Sequence, residues 1–315
     1  MLTNNPLVSI IIPVYNGSNF LENAIRCALD QDYSNLEIIV VNDGSNDDGK
    51  TEKIARSFGD KIRYYYKENG GVSSALNYGI SVMRGDYFSW LSHDDSYSSS
   101  KISDAIDILN SQKKIGARCI AFTDGYFISS SGQRIRKFKQ FFKHSGYYSG
   151  LEVIKVMTSK GTLNGCCMTI PRSAFEEIGY FDESLRYSQD ALMWYRLFLS
   201  GYGLVVDHEE NVMYRLHDKQ TSQLRRDLYE HDSQIIAKEL APLLLKADAT
   251  GHILYDYMIR LTKHRCQAAF QYLKQYAVDH NALSAGMCFR LNLSVFFGGL
   301  RYYSVRTLKR FLLHS

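Results

Sequence analysis

Two adjacent carboxylates, Asp94 and Asp95, follow the apolar stretch YFSWL at residues 87–91, and His93 stands directly before them. Acidic side chains at the end of a buried strand can hold a divalent cation. Two neighbouring aspartates are also common in loops and at helix caps. The chemistry of this pair therefore depends on the elements that position it.

Apolar, β-branched runs alternate with runs of helical spacing through the first third of the chain. The apolar runs predict buried strands, and the intervening runs predict helices. Strands are expected at about 7–13, 36–41, 62–66 and 87–91, and helices at about 20–31, 48–58 and 72–83. This alternating order is typical of a parallel, doubly wound α/β sheet.

Polar, turn-forming residues follow each of these predicted strands. The segments are VYNGS at 14–18, NDGS at 42–45, KENGG at 67–71 and SHDD at 92–95. In doubly wound sheets, ligands bind beyond the carboxyl ends of the strands. The four segments therefore predict one ligand-binding rim, and the acid pair lies on it.

The rest of the chain predicts further strands and helices and then changes character. A helix is expected near 100–112, a strand at 118–124, a basic and aromatic insert at 133–144, and a closing strand pair at 204–217. Beyond Arg225 the spacing predicts helices only. We therefore expect an α/β domain over residues 1–222 and a helical C-terminal region over residues 223–315.

The composition is that of a soluble globular protein. Of the 315 residues, 45% are hydrophobic and 22% are charged, which excludes a disordered chain. The six cysteines form no CxxC pair, which argues against a zinc site and a disulfide framework and favours a reducing cytoplasm. The N-terminus lacks the features of a signal peptide, and no apolar run reaches the ~18 residues that a membrane span needs.

Six segments, taken together and in this order, resemble the inverting family 2 glycosyltransferases of the GT-A fold. They are SIIIPVYN, VVNDGS, NGGVSSALNYGI, WLSHDD, GYFDESLRYSQDALMWYRL and YRLHDKQTS, which span about residues 7 to 222. The resemblance implies a mixed, mainly parallel sheet flanked by helices, with a C-terminal helical extension. It also implies an enzyme that transfers a sugar from a nucleotide-diphosphate sugar, with a UDP-sugar favoured, to a hydroxyl of a glycan acceptor.

By this resemblance, the residues after the first strand bind the nucleotide base of the donor. They are Pro13, Val14, Tyr15 and Asn16, and Asp43 would accept the imide hydrogen of uracil or thymine. Taken alone, the first segment also fits a turn that ends a strand, and Asp43 also fits an N-cap of the next helix. The other motifs favour base recognition.

The turn formed by Asn69, Gly70 and Gly71 is expected to approach the donor closely. Paired glycines let a backbone come near a ligand, and the following helix offers its N-terminus to a diphosphate. A plain strand-to-helix turn accounts for one glycine better than for two. Related enzymes often carry arginine where this chain has Leu76, so that polar contact of the family is not carried over to this chain.

The SHDD segment is similar to the DxD-type motif of the family, with Ser92 at the place of its usual first acid. The resemblance assigns Asp95 to a divalent cation and Asp94 to the ribose or the sugar. Mn²⁺ or Mg²⁺ prefers carboxylate oxygens, and a cation that bridges two phosphates stabilises the departing diphosphate. His217 is the second metal candidate, because related enzymes return a histidine from a late loop. A lone histidine also fits a surface or core position.

The resemblance makes Asp190 the catalytic base, which would remove the proton of the acceptor hydroxyl as that hydroxyl attacks the anomeric carbon. Gln189 stands where glutamate is usual in the family. Asp190 also fits a helix N-terminus whose dipole it offsets. Trp194, one turn later, fits either stacking on the acceptor or filling the core.

The C-terminal end is basic and amphipathic. From Arg260 onward there are nine Lys or Arg residues and one acidic residue, Asp279. Between Phe289 and Phe311, apolar residues fall on one helical face and basic residues on the other, which is typical of a helix lying in a membrane surface. A helix packed on the catalytic domain has the same pattern.

We therefore expect a cytoplasmic enzyme, peripheral at the inner face of a bacterial plasma membrane. Its acceptor would be a lipid-linked glycan in capsule or O-antigen synthesis. No nucleic-acid-binding module accompanies the basic residues, so a nucleic acid partner is not expected. The helical region also leaves room for an oligomer contact.

Three other functions fit parts of the sequence. A transferase onto a polyprenyl phosphate would bind the same donors, but its acceptor is already ionised and needs no base. A noncatalytic sugar-nucleotide-binding subunit of a polysaccharide assembly complex would need neither the acid pair nor Asp190. A nucleotidyltransferase would be expected to carry a glycine-rich basic loop after the first strand, where this chain has VYNGSNF.

Overall fold

The computed structural model describes residues 5–113, 118–138, 141–218, 220, 227–264 and 266–291. The chain forms two compact units. The first unit comprises Met1–Val153 and Thr162–Arg225, and the second comprises Ile154–Gly161 and Arg226–Ser315. All predicted site residues belong to the first unit.

The first unit contains one mixed sheet of ten strands. The strands are β1 Val8–Val14, β2 Leu36–Asp43, β3 Arg63–Lys67, β4 Tyr87–Trp90, β5 Ser96–Tyr97, β6 Cys119–Ile128, β7 Arg134–Lys137, β8 Gly146–Tyr148, β9 Met168–Pro171 and β10 Gly203–Arg215. Their order is β3-β2-β1-β4-β9-β6-β10-β5, and β7 pairs with β6 while β8 pairs with β10. The longer ladders are parallel: β1 with β2 and β4, β2 with β3, and β6 with β10.

Helices connect these strands and continue through the second unit. In chain order they are α1 Leu21–Leu29, α2 Lys50–Arg56, α3 Val72–Val82, α4 Lys101–Lys113, α5 Gly150–Lys160, α6 Arg172–Ile178, α7 Gln189–Leu199, α8 Asp227–Ala247, α9 His252–His264 and α10 Gln267–Asp279. A further helical segment covers 285–291. The described part of the chain beyond Arg225 is thus helical, as the sequence predicts.

The core lies on both faces of the parallel strands. Ile10, Ile11 and Ile12 in β1 are all fully buried, and Ile39 and Val40 of the neighbouring β2 are buried as well. Parallel strands covered by helices on both faces require such continuous apolar runs, because neither face meets water. The β-branched runs therefore explain why these segments form central strands, and the α/β prediction is confirmed.

The predicted closing strand pair at 204–217 is wrong, because one strand, β10, covers Gly203–Arg215. The charged residues DHEE in its middle have the composition of a turn. They are accommodated instead by two irregularities in the register with β6, one between Asp207 and Glu210 and one between Glu210 and Val212. Such bulges let a strand carry extra residues without ending it.

Two of the expectations drawn from the sequence fall on residues outside the described ranges. The apolar and basic faces of the C-terminal amphipathic segment lie mostly in 292–315, and Phe289, its first residue, is exposed. Ser222, part of the last family-like motif, lies in 221–226. No helix within the described ranges is long and apolar enough to cross a membrane.

Candidate active site

The loops after β1 and β2 are tied together at the rim. Pro13 and Val14 end β1 and are buried, whereas the Tyr15 ring is 45% exposed. Asn16 has a φ of 50°, a left-handed conformation that asparagine tolerates better than most residues. Its side-chain amide donates to Asn46 Oδ1 at 2.7 Å and accepts from Asn46 N at 2.9 Å.

Asp43, the last residue of β2, organises the turn that follows β3. Its carboxylate accepts hydrogen bonds from Gly70 N at 3.0 Å and from Gly71 N at 2.7 Å. Asn69 Nδ2 donates to the Asp43 carbonyl at 2.8 Å. The structure thus joins four of the predicted donor-binding residues in one hydrogen-bonded cluster.

Lys67 completes this cluster and was not singled out from the sequence. Its ammonium group donates to Asp43 Oδ1 at 2.8 Å, and the two side chains are largely buried. Because Asp43 Oδ2 receives one of these hydrogen bonds and a carboxylate oxygen has two lone pairs, it can accept one more donor. The predicted contact with a base imide is therefore compatible with the existing bonds.

The N-terminus of α3 begins directly after the glycine pair. Gly71 has a φ of 88°, which only glycine adopts readily, and the N–H groups of both glycines are taken by Asp43. Leu76 is fully buried, so this position contributes apolar packing instead of the polar contact usual in the family. Arg186 Nη1 donates to the Gly70 carbonyl at 2.8 Å from the loop that leads to α7.

The two acids after β4 have different surroundings. Asp94 Oδ2 lies 2.9 Å from His217 Nε2. The Asp94 side chain is 16% exposed and the His217 side chain is 15% exposed. Asp95 is 1% exposed, and its carboxylate accepts hydrogen bonds from Arg215 N at 2.9 Å and from Cys166 Sγ at 3.5 Å. The structure therefore brings Asp94 and His217 together and turns Asp95 to the interior.

Burial shifts the pKa values of several groups around this turn. Desolvation raises the pKa of Asp95 well above its ordinary value, and the neighbouring Asp94 carboxylate raises it further. Burial likewise raises the pKa of the Cys166 thiol. It lowers the pKa of His93, which favours the neutral imidazole. The interior side of the acid motif is thus a place where charge is disfavoured.

Arg215, at the end of β10, makes hydrogen bonds to both acids of the motif. Its Nε donates to the Asp94 carbonyl at 2.8 Å, and its guanidinium lies over the Phe20 ring at 4.8 Å. The same arginine donates through Nη1 to the carbonyls of Ser129 and Ser130. Its position in the YRLH segment, two residues before His217, is the signal that could have identified it.

Asp190 lies in the first turn of α7, and its Oδ1 accepts a hydrogen bond from Ala191 N at 2.7 Å. Gln189 is buried, and its amide oxygen has no hydrogen-bond partner within the described residues. Trp194 is fully buried and donates from Nε1 to the Leu163 carbonyl at 3.1 Å. This tryptophan therefore fills the core, the second of its two sequence interpretations.

The model of the family described as glycosyl transferase family 2 matches residues 9–179, more than half of the chain. The chain belongs to glycosyltransferase family 2. The matched residues contain the rim and the acid motif, whereas Asp190 and His217 lie after them. The protein is thus a glycosyltransferase, and the enzyme prediction is confirmed.

One curated relative is named a glycosyltransferase, and another is named for teichoic acid biosynthesis. An uncharacterized glycosyltransferase of Rickettsia typhi is 39% identical, with 97% of this chain and 94% of that protein covered. The minor teichoic acid biosynthesis protein GgaB of Bacillus subtilis is 28% identical, with 80% of this chain but only 28% of that protein covered. This glycosyltransferase therefore has relatives both of its own length and much longer.

Among solved structures, S. aureus TarS 1-349 resembles the glycosyltransferase in fold. Its TM-score is 0.63 at 16% identity, with 87% of this chain and 88% of that chain covered. The complex of the same protein with UDP-GlcNAc gives a TM-score of 0.60, again at 16% identity, with 87% of this chain and 89% of that chain covered. At this identity the likeness shows the fold, which is the one that the sequence predicts.

The residues at the acid motif fit a divalent cation of the kind the family uses. Asp94 and His217 offer a carboxylate oxygen and an imidazole nitrogen side by side. Within the described residues, no group of three or more His, Cys, Asp and Glu side chains could hold a metal. Two protein ligands suffice for Mg²⁺ or Mn²⁺, because such ions usually take phosphate oxygens and waters as their other ligands.

Proposed function

We propose that this glycosyltransferase is metal-dependent and inverting, and that it moves a sugar from a UDP-sugar to a hydroxyl of a glycan acceptor. The observation that carries the proposal is the Asp94–His217 pair, placed after β4 on the rim where the Asp43 cluster lies. A site for the nucleobase and a site for a cation on one rim match the base and the diphosphate of a nucleotide diphosphate. The proposal therefore rests on two neighbouring groups of side chains.

The donor base is assigned to the segment Pro13–Asn16 and the Asp43 cluster. Asp43 would accept the imide N–H of uracil, which cytosine lacks, and Lys67 would hold the carboxylate in place. TarS, which shares the fold, has been crystallised with UDP-GlcNAc and with UDP. That likeness supports a uridine nucleotide as the donor.

We assign the cation to Asp94 and His217, which differs from the sequence-based assignment of Asp95 to the metal and Asp94 to the ribose or sugar. Asp95 is buried and already accepts two hydrogen bonds, so its contribution would be to fix the turn. When bound, Mn²⁺ or Mg²⁺ supplies a positive charge that stabilises the departing diphosphate.

Asp190 is the proposed general base. Its place at the start of α7, four residues after Arg186, connects it to the glycine pair of the donor site. An ionised carboxylate there can accept the proton of an acceptor hydroxyl as that hydroxyl attacks the anomeric carbon. A polyprenyl phosphate acceptor would need no such base, and a noncatalytic subunit would need neither the base nor the cation ligands.

The acceptor and its location are proposed from chemistry and from relatives. GgaB is named for minor teichoic acid biosynthesis, and it aligns with 80% of this chain. We infer that this enzyme also builds a bacterial surface glycan, such as capsule or O-antigen, on a lipid-linked acceptor. A lipid-linked acceptor would place the enzyme at the cytoplasmic face of the plasma membrane.

The decisive test is calorimetric binding of UDP-GlcNAc and other UDP-sugars with and without Mn²⁺. The proteins would be wild type, Asp94→Asn, His217→Gln and the control Asp60→Asn, an exposed aspartate away from the rim. We expect Mn²⁺-dependent binding that weakens by about tenfold or more in the two site variants, as the loss of a metal contact requires. The proposal would be wrong if no UDP-sugar bound. It would also be wrong if binding were the same with and without Mn²⁺ and in both site variants.

A further inference from the structure

The β6–β7 hairpin, residues 126–138, is basic along its second strand. Its residues 130–137 are all exposed, and among the described residues β7 pairs with β6 alone. This exposed run contains Arg134, Arg136 and Lys137 and no acidic residue. Because the run 130–137 is exposed throughout, its side chains build no core and can meet a partner.

The two arginines of the exposed run lie over aromatic rings. The Arg134 guanidinium lies 4.2 Å from the centre of the Tyr126 ring, and the Arg136 guanidinium lies 4.1 Å from that of Phe127. Phe127 itself packs against Phe138. Stacked arginines lose less freedom on binding than solvated ones, so this hairpin is prepared to hold a ligand.

The charge of the hairpin remains positive after its ion pairs are considered. Glu210 on β10 pairs with Arg134 and with Lys137, the latter at 2.5 Å, while the Lys137 side chain stays 70% exposed. Charged residues also guard an edge strand against pairing with other strands, but either sign would serve that purpose. Three cations without an acid in the exposed run point instead to an anionic partner.

The hairpin is connected directly to the acid motif. The carbonyls of Ser129 and Ser130, at its turn, accept hydrogen bonds from Arg215 Nη1. The Nε of the same arginine donates to the Asp94 carbonyl at 2.8 Å. A ligand lying along β7 would therefore lead from solvent to the neighbourhood of Asp94.

We propose that the β6–β7 hairpin is a docking surface for the acceptor, and that the acceptor segment bound there carries phosphate groups. The inference rests on the proposed function, because it takes the ligand on the hairpin to be the acceptor, which must come beside the donor held at the acid motif. Guanidinium and ammonium groups bind phosphate through charge-assisted hydrogen bonds, which neutral sugars do not offer. A bilayer is disfavoured, because Ile135 is the one exposed large apolar residue of the hairpin.

The test measures binding of a fluorescent linear polyphosphate by anisotropy at several salt concentrations. The test variant is Arg136→Gln with Lys137→Gln. The matched control is Arg56→Gln with Lys53→Gln on α2, where Arg56 also stacks on a ring, that of Tyr64 at 4.9 Å. Binding of UDP-GlcNAc by each protein serves as the check of fold and of the proposed function.

We expect the test variant to bind polyphosphate about tenfold more weakly, with a slope of log affinity against log salt reduced by about one to two. The control and wild type should agree, and UDP-GlcNAc should bind all three. Equal polyphosphate binding in all proteins, with UDP-GlcNAc bound, would overturn the docking surface and spare the proposed function. Loss of binding to phosphatidylglycerol vesicles but not to polyphosphate in the test variant would assign the hairpin to a bilayer and overturn the proposal as well.

Discussion

At the scale of single residues, Asp190 is the proposed general base, a role that a noncatalytic binding protein would not need. Replacement of Asp190 by asparagine keeps the size of the side chain and its hydrogen bond to Ala191 N through the amide oxygen. It removes the ability to take up a proton. The variant therefore tests proton transfer without removing the side chain from the helix start.

We expect Asp190→Asn to lower kcat by about 10²- to 10⁴-fold, the usual contribution of a general base, with unchanged binding of UDP-GlcNAc. Transfer would be measured by release of UDP with an acceptor glycan, and binding by calorimetry. Asp107→Asn, an exposed aspartate on α4, is the control. Full turnover by the Asp190 variant would instead favour an acceptor that is already ionised.

The sequence predicts the acid pair, but its assignment of Asp95 to the cation differs from the one that we propose. Both follow β4, and strand geometry alone puts neighbouring side chains on opposite sides. The partner that turns Asp95 inward is the N–H of Arg215, which lies 120 residues later in the chain. A contact of that range depends on the order of strands in the sheet, which local pattern does not determine.

At the scale of elements, the β1–α1 loop supports the acid motif by close packing. A Cβ atom added at Gly17 would lie 2.4 Å from Val14 Cγ2 and 2.5 Å from His93 Cδ2. Gly17 N also donates to Thr51 Oγ1 at 3.0 Å, which fixes the loop against α2. The absence of a side chain at this position therefore allows the SHDD turn to approach the end of β1.

We expect Gly17→Ala to lower the free energy of unfolding by about 1–3 kcal/mol, the usual cost of overpacking, and to weaken Mn²⁺-dependent donor binding by displacing His93 and its neighbour Asp94. Urea unfolding and calorimetry would measure the two effects. Gly286→Ala is the control, since no atom lies within 4 Å of its added Cβ. If Gly17→Ala matched wild type in both measurements, close packing at this loop would not position the motif.

Element prediction succeeds where the chain repeats a strand and a helix, and it fails for very short strands and for a strand with a charged middle. The segments through β4 are each found near their predicted places, because buried β-branched runs and amphipathic runs differ clearly in period. The two-residue β5 and the four-residue β7 were not predicted, because such short segments show no period. For β10, the charged residues in its middle resembled a turn.

At the scale of the whole molecule, one buried cation makes stability depend on pH. Lys101, at the start of α4, is fully buried, donates from Nζ to Thr169 Oγ1 at 2.7 Å and lies 5.3 Å from the centre of the Tyr97 ring. Burial lowers the pKa of Lys101 from 10.5 to about 8. Between these values the unfolded lysine holds a proton that the folded lysine has lost. Unfolding then takes up a proton, so the contribution of Lys101 to stability rises with pH.

We expect wild type to gain stability relative to Lys101→Met as pH rises above about 8, by at most about 1.4 kcal/mol per pH unit. Urea unfolding would be followed by tryptophan fluorescence from about pH 7 to about pH 9.5. Both tryptophans of the chain, Trp90 and Trp194, lie in the first unit, as does Lys101. Lys53→Met, at an exposed lysine, should show a constant difference. A constant difference for Lys101→Met would contradict the buried, partly neutral lysine.

The contact between Asp94 and His217 determines when, during synthesis on the ribosome, the proposed site can form. The two residues are separated by 123 positions, and β10, which precedes His217, inserts between β6 and β5 in the sheet. The β1 to β4 segment can begin to fold during synthesis, since its parallel strands follow one another in the chain. The proposed cation ligands meet only after His217 has left the exit tunnel. On the proposed assignment, a nascent or interrupted chain lacks the second cation ligand, so metal-dependent transfer would begin only with a finished first unit.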